Sequence, residues 1–343
     1  MISRHCEEHS DAAIQKILFI ADDIECFITN HDSTWVMMKA AHHLGDEVSY
    51  ALAEDLQEDG SSYCLTLSDE FFVKQEGQLL VLDQLSKDSK TSLQLDDFDY
   101  IFMRKDPPVD DEYKRECEIM AQCTKAKVIN NPNSLIELNE KLMILNFPDL
   151  IIETIVTDEI SEIEAFVNKH GKLVMKPLDG FGGAGISLLE LDRHCQDEGR
   201  SNLMHALNLA IGLPRADGAR NDKVMLQKYI PDIKIQGDKR IIVVNGEPIG
   251  ALLRIPPEND FRANLAVGGS YAKHVMSDRD REICAKIKPF LLENGIYFAG
   301  VDLIGDYLTE INITSPTCLQ EINRVEGLEG KEGIEYQLMA EII

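Results

Sequence analysis

The sequence predicts an α/β protein: an open, mainly parallel sheet in its N-terminal part, then a second unit that mixes helices with antiparallel hairpins. Three observations carry this reading. The chain opens with a strand, a helix and a second strand in close succession. A glycine-rich stretch, VMKPLDGFGGAGIS (174–187), lies past its midpoint. Its C-terminal part carries two further hairpins, turning on Asn245-Gly246 and on Gly305-Asp306.

KILFIADDI (16–24) is an apolar run ending in acidic residues, and it reads as the first strand. DSTWVMMKAAHHLG (32–45) has helical periodicity, with Asp32 or Ser33 as cap and Gly45 as stop. DEVSYAL (46–52) reads as the second strand, and the alternation over 54–96 predicts short hairpins. FDYIFMRKDPP (98–108) is a strand that meets a double-proline stop, and a helix over 111–125 leads to the strand KVIN. This first domain spans 16–133, after a polar extension over 1–15. Ser134-Leu135-Ile136-Glu137 has capping-box spacing and predicts a helix carrying Asn139, Glu140 and Lys141. The second domain, 134–343, then contains a helix near 160–169, the strand KLVMKPL, the glycine loop, the run ISLLEL, a helix near 201–212 and the strand KVMLQKYI. Asn-Gly between IIVV and PIGALLRI is a strong hairpin signal, and a helix from Ser277 to Asn294 precedes the last β pair.

The chain has 343 residues, 44% hydrophobic and 27% charged, as an ordinary soluble globular protein has. Sixty acidic residues against 34 basic ones give a net charge of −26, which argues against nucleic acid or an anionic membrane as partner. An anionic ligand therefore needs a local concentration of Lys and Arg. Eight scattered cysteines without a C-x-x-C point to reduced thiols in a cytoplasm, and no apolar run reaches the ~18 residues of a membrane span. The nine histidines form no ligand-spaced set.

Gly180-Phe181-Gly182-Gly183-Ala184-Gly185 satisfies G-x-G-x-x-G, the pattern of a dinucleotide-binding turn. Such a turn must open a helix, whereas here the strand formers Ile186-Ser187-Leu188-Leu189 follow. The stretch is strand, turn, strand, which argues against a nicotinamide dehydrogenase and leaves it the weakest alternative. No H-R-D or D-F-G is present, so it is no protein kinase either, and no Walker A sequence occurs. What remains is a glycine hairpin (179–185) able to fold over phosphates, with Lys176 on the incoming strand.

In VDLIGDYLTEINITSPT, Glu310 and Asn312 lie two apart on one strand, and a hairpin can bring Asp302 beside them. Three hard oxygen donors suit Mg²⁺, with Mn²⁺ as an alternative; spacing alone leaves an ordinary acidic hairpin equally open. Arg254, at a strand end, and Arg262, in the loop 255–270, are candidate catalytic cations, against the alternative of surface arginines. That loop, bounded by prolines and glycines, has the character of a lid.

Taken together, MKPLDGFGG, QKYIP with GDKR, VVNGEP, LLRIPP with RANLAVGG, and VDLIG with LTEINITSPT resemble an ATP-grasp ligase, and within that class the prokaryotic glutathione synthetase family. HDST, IFMRKDPPVDDEY and NNP with LNEKL extend the resemblance to residues 16–320. The lid departs from the family by lacking extra glycines in its first half. The resemblance implies an N-terminal Rossmann-like pre-ATP-grasp domain, then an ATP-grasp fold of two α+β subdomains with ATP between two small sheets. It implies Lys141 and Lys176 at the phosphates, Gly182 and Gly183 over them, Gln227, Tyr229 and Ile230 at the adenine, and Asp238 near the ribose. Asp302, Glu310 and Asn312 would hold magnesium, and Arg254 and Arg262 would face an acyl phosphate. The implied reaction joins γ-glutamylcysteine and glycine at the expense of ATP, in a homo-oligomer, dimer or tetramer. Asp32, Ser33 and Thr34 at the γ-glutamyl end are equally explained as a helix cap. Arg104, with Lys105, would meet a substrate carboxylate or simply end a strand. Ser315 and Thr317 near glycine rest on the resemblance, and Cys318 beside them reads as a small packed residue. Another carboxylate–amine ligase of the same superfamily and a silent nucleotide-binding protein are the alternatives.

Overall fold

A computed structural model of the chain describes residues 13–74, 90–190 and 223–343. Residues 1–12 of the extension expected over 1–15, and the helix expected near 201–212, lie outside the described residues. Three sheets organise the remainder.

The first has strand order β4-β3-β2-β1-β5-β6. Strands β1 (Lys16–Ala21), β2 (Glu47–Leu52), β5 (Tyr100–Met103) and β6 (Lys127–Ile129) run parallel. Residues 17–21 are all buried, which is why β1 reads as an unbroken apolar run, as a central parallel strand covered on both faces must. The helix Ser33–Leu44 crosses between β1 and β2; Asp32 caps it through Trp35 N at 2.8 Å, and Gly45 ends it at φ 103°. Strands β3 (Ser61–Thr66) and β4 (Thr91–Gln94) add antiparallel, β3 to β2 and β4 to β3, so the hairpin expectation for 54–96 holds in part. A helix, Asp69–Lys74, was not expected there.

Two other helices differ from expectation. The third, Asp111–Met120, is shorter because the carboxylate of Asp96 takes the backbone N–H groups of Thr124, Lys125 and Ala126 at 2.9 to 3.2 Å. The next is Pro132–Glu137, capped by Asn131 with proline in its first turn, so Ser134 lies inside it and is not its cap. Ser134 Oγ instead donates to Asn294 O, and Asn139, Glu140 and Lys141 fall in the loop that follows.

The second sheet, β7-β10-β8-β9, is antiparallel: β7 (Thr154–Thr157), β8 (Lys172–Pro177), β9 (Ser187–Glu190) and β10 (Val224–Lys228). It packs against the helix Ile160–His170 around Ile163, Val167, Leu173 and Leu226. The third sheet, β13-β12-β11-β14-β15, is also antiparallel. Its strands are β11 (Asp238–Val244), β12 (Glu247–Ile255), β13 (Ser270–Lys273), β14 (Phe298–Ile304) and β15 (Tyr307–Asn312). Asn245 and Gly246 make the β11–β12 turn with φ of 50° and 76°, the left-handed pair that matches strand twist. The helix Asp278–Glu293 begins at a Ser277–Asp280 capping box.

The C-terminal helices Leu319–Glu326 and Ile334–Ile342 return to the helix Ser33–Leu44, so one apolar cluster runs from the first sheet into the third. Among the described residues no helix is long and apolar enough to cross a membrane.

Candidate active site

Strand register builds a charged row across the third sheet. Arg254 on β12 stands opposite Asp238 on β11. Two residues on, and so on the same face, Arg240 stands opposite Asp302 on β14, which in turn faces Glu310 on β15. Cations and anions therefore alternate along one surface. Arg240 holds Asp302 with Nε–Oδ1 at 2.5 Å and Nη2–Oδ2 at 2.9 Å. Arg254 bridges Asp302, at 2.8 Å, and Asp238, which it also hydrogen-bonds. Asn312, opposite Gly300, donates to Gly300 O at 2.9 Å and to Asp302 Oδ2 at 3.1 Å, which leaves its side-chain carbonyl for another partner.

These groups are buried, and burial alone would drive their carboxylates toward the neutral form. For Asp302 the two guanidiniums outweigh burial and hold the carboxyl at about 2. For Asp238 burial prevails over Arg254, aided by the charge of Asp302, and lifts it to about 7. One oxygen of Asp238 and the Nε of Arg254 have no partner among the described residues. Buried polar atoms of this kind call for a polar ligand or water.

The second sheet supplies the facing wall. Lys176 on β8 reaches across to Thr309 O at 3.3 Å; burial lowers its pKa against the pull of Glu310. Lys141 donates to Gly180 O and lies 3.4 Å from Glu310 Oε1. The glycine hairpin joins two antiparallel strands, in register Met175↔Ser187, as the sequence implied and as a dinucleotide turn does not. Gly182 and Gly183 sit at φ of 58° and 86°. The lid, between β12 and β13, rests on this hairpin: Arg262 Nη1 donates to Gly183 O at 3.2 Å. The rest of the Arg262 guanidinium is chelated by Asp260, which falls to about 2 as a result.

Two cavities open between these walls. The narrower is lined by Lys176, Gln227, Tyr229, Ile230 and Asp238, five of the eight positions expected at a nucleotide, together with Arg262. The wider, about 430 Å³, takes in Gly182, Gly183, Arg240, Arg254, Asn312, Ser315, Thr317 and Cys318. The remaining candidates hold this second space in shape. Ser33 Oγ accepts from Leu319 N at 3.4 Å, and Thr34 Oγ1 accepts from Arg104 Nε at 3.0 Å. Arg104 Nη2 donates to Pro316 O at 3.0 Å, while its buried Nη1 has no partner among the described residues. Ser315 Oγ bonds Asp106, and Lys105 pairs with Glu116 at 2.7 Å. Cys318 is buried, at φ 90°, where the loop turns into a helix.

Sequence reasoning missed Arg240, Glu140 and Asn264. Arg240 had a signal, since it lies two residues from Asp238 on a strand. Glu140 was assigned to a helix, and Asn264, which touches Gly183 from the lid, had no signal by itself.

Asp302, Glu310 and Asn312 are oxygen donors on adjacent strands, and their type and charge fit Mg²⁺. Among the described residues no three His, Cys, Asp or Glu side chains converge, so such a site comprises two carboxylates and one amide.

Two antiparallel sheets that enclose a cleft of alternating cations and carboxylates, with a glycine hairpin and a lid meeting over it, define an ATP-grasp fold. Solved structures share it. The D-cycloserine synthetase DcsG aligns with TM-score 0.61 at 13% identity over 95% of this chain and 99% of that one. A Chryseobacterium gregarium RiPP-associated ATP-grasp ligase aligns with TM-score 0.57 at 18% identity over 95% and 96%. Family models narrow the assignment: "Prokaryotic glutathione synthetase, N-terminal domain" matches residues 15–135, and "Prokaryotic glutathione synthetase, ATP-grasp domain" matches 140–327. The glutathione synthetase of Gloeobacter violaceus is 39% identical over 321 residues, 91% of this chain and 93% of that one. That of Neisseria meningitidis serogroup A is 36% identical over 318 residues, 92% and 95%. The chain belongs to the prokaryotic glutathione synthetase family.

Proposed function

We propose that the protein is an ATP-dependent carboxylate–amine ligase that joins γ-L-glutamyl-L-cysteine to glycine, giving glutathione, ADP and phosphate. The observation that carries this reading is the cleft itself: Lys141, Lys176, Arg240 and Arg254 converge where two sheets meet, in a protein with net charge −26. Cations gathered beside paired carboxylates on so acidic a protein suit an anionic ligand bound together with a cation.

Phosphoryl transfer asks a protein mainly for positioning and charge neutralisation. Lys141 and Lys176 provide fixed cations at the phosphates, and the glycine hairpin lets backbone N–H groups approach them. Gln227, Tyr229 and Ile230 line the adenine end, and Asp238 the ribose. The cysteinyl carboxylate attacks the γ-phosphorus, and ADP leaves with the electron pair of the broken P–O bond. Arg254 and Arg240 flank the acyl phosphate that results. The unprotonated amine of glycine then adds to the acyl carbon; phosphate departs with the bridging oxygen and the nitrogen loses a proton. Arg262 and the lid, resting on Gly183, keep water from the acyl phosphate meanwhile. Asp302, Glu310 and Asn312 would hold Mg²⁺, which supplies charge neutralisation at the phosphate oxygens.

Residues 16–133 are assigned to the substrate domain and 134–343 to the ATP-grasp domain. The six described cysteines are free thiols, which suits a reducing cytoplasm. A symmetric homo-oligomer is expected, and sizing chromatography measures it. The test of function is phosphate release from Mg-ATP: it should require both γ-glutamylcysteine and glycine. Release with D-alanine alone would favour a different ligase of the same fold, and no release with any pair would sink the proposal.

A further inference from the structure

Beyond Asn312 the chain leaves β15 and runs through Thr314–Cys318 along the wide cavity. We infer that Glu140 is a positioning residue that sets this loop for the acceptor amine, and that Asn139-Glu140-Lys141 ties the loop to the glycine hairpin. This rests on the reaction proposed above, in which the loop lies beside glycine.

One carboxylate oxygen organises the departure. Glu140 Oε1 accepts from Ile313 N at 2.6 Å, Thr314 N at 2.9 Å and Thr314 Oγ1 at 3.0 Å. The backbone carbonyl of Glu140 takes Ile311 N at 3.2 Å. Residue 140 thus replaces a neighbouring strand along the free edge of β15, serving Ile311 and Ile313, whose N–H groups share a side at period two. On the opposite side of the backbone, Asn130 Nδ2 donates to Ile313 O at 2.8 Å. A carboxylate is a stronger acceptor for three donors than a neutral amide.

The flanking residues reach the other half of the site. Asn139 Nδ2 donates to Leu178 O at 2.8 Å, in the stem of the glycine hairpin, and its Oδ1 accepts from Lys141 N and Leu142 N. Lys141 bonds Gly180 O and pairs with Glu310. Three consecutive residues therefore grip the hairpin stem, the hairpin turn and the acceptor loop. Thr314, Ser315 and Thr317 line the wide cavity and not the narrower cleft of Gln227, Tyr229 and Ile230, so the effect falls away from the adenine end.

Steady-state kinetics of Glu140→Gln, with glycine and ATP varied separately, test this. Glutamine has the same size and can keep one oxygen for the three donors but lacks the charge, so each of the three bonds is weakened. The KM for glycine is expected to rise about tenfold or more while that for ATP stays within about threefold. Thr314→Val should shift the KM for glycine in the same direction, by about threefold, and Thr314→Ser, which keeps the hydroxyl, should restore it. If Glu140→Gln does not fold, the Thr314 pair carries the test. Equal rises in both KM values, a lower melting temperature with unchanged kinetics, or a Thr314→Val enzyme like the native one would overturn the inference. Native enzyme that forms no glutathione would overturn the proposed function instead, so the two failures are distinguishable.

Discussion

Replacing Gly183 with alanine tests the seal between hairpin and lid. At φ 86° an L-residue carries a backbone penalty of about 1–2 kcal/mol. The added Cβ would also lie 2.9 Å from Asn264 Oδ1, too close unless that side chain turns aside. Since ~1.4 kcal/mol is a factor of ten, the backbone penalty alone lowers the closed population about five- to thirtyfold. The contact Arg262–Gly183 is disturbed at the same time. Gly268 is the control: it sits in the lid at φ 89°, and a Cβ there meets nothing within 4 Å, so Gly268→Ala carries the backbone penalty without the clash. The assay compares phosphate released with glutathione formed. An ill-sealed cleft admits water to the acyl phosphate, so Gly183→Ala should lower turnover and release more than one phosphate per peptide bond. Gly268→Ala, with the backbone penalty alone, should fall between the native enzyme and Gly183→Ala. Full turnover and tight coupling in Gly183→Ala would refute the seal.

Glu310→Gln should reduce turnover about tenfold or more and raise the Mg²⁺ concentration needed for half-maximal rate, measured by magnesium titration. Arg240→Met leaves Asp302 with one guanidinium; it should cost about 3 kcal/mol in denaturant melts and abolish measurable ligation. Asp280 is fully buried and bonded to Lys239 at 2.7 Å and His274 at 2.8 Å, so Asp280→Asn should cost ~3–5 kcal/mol by the same measurement. Burial alone would raise the Asp280 carboxyl, but hydrogen bonds from His274 and Lys239 hold it well below the usual range. Its contribution is therefore complete above the unfolded value of about 3.9 and lost as pH falls toward the folded one; the gap between native and variant stability should be constant from pH 5 to 8 and narrow below about pH 4.

The local patterns that survived translation into three dimensions share one property: they depend on neighbours in sequence. The β1 run, the Asp32 cap, the Asn245-Gly246 turn and the strand-turn-strand character of 174–187 were all legible for that reason. The Gly305-Asp306 turn was legible too, but its register alone would set Asp302 against Thr309; the bulge between Asp302 and Leu303, which no local pattern showed, brings Glu310 opposite Asp302. Distant partners were not legible. The helix expected to 125 stops early because Asp96, more than twenty residues away, captures its backbone donors. Glu140 looked helical because its true partners, Ile313 and Thr314, lie beyond the reach of any local pattern. Ser33, Thr34 and Arg104 were open between substrate contacts and a helix cap or strand end, and their hydrogen bonds to the loop after β15 had no signal in the sequence.

The account's central claim is that a carboxylate is activated by ATP and then captured by an amine. Its most direct test is oxygen transfer: γ-glutamylcysteine labelled with ¹⁸O in the cysteinyl carboxylate is turned over with unlabelled ATP and glycine, and the released phosphate is analysed by mass spectrometry. One ¹⁸O atom in each phosphate, with unlabelled ADP, is predicted, because the bridging oxygen leaves with phosphorus. Unlabelled phosphate beside newly formed glutathione would contradict the claim.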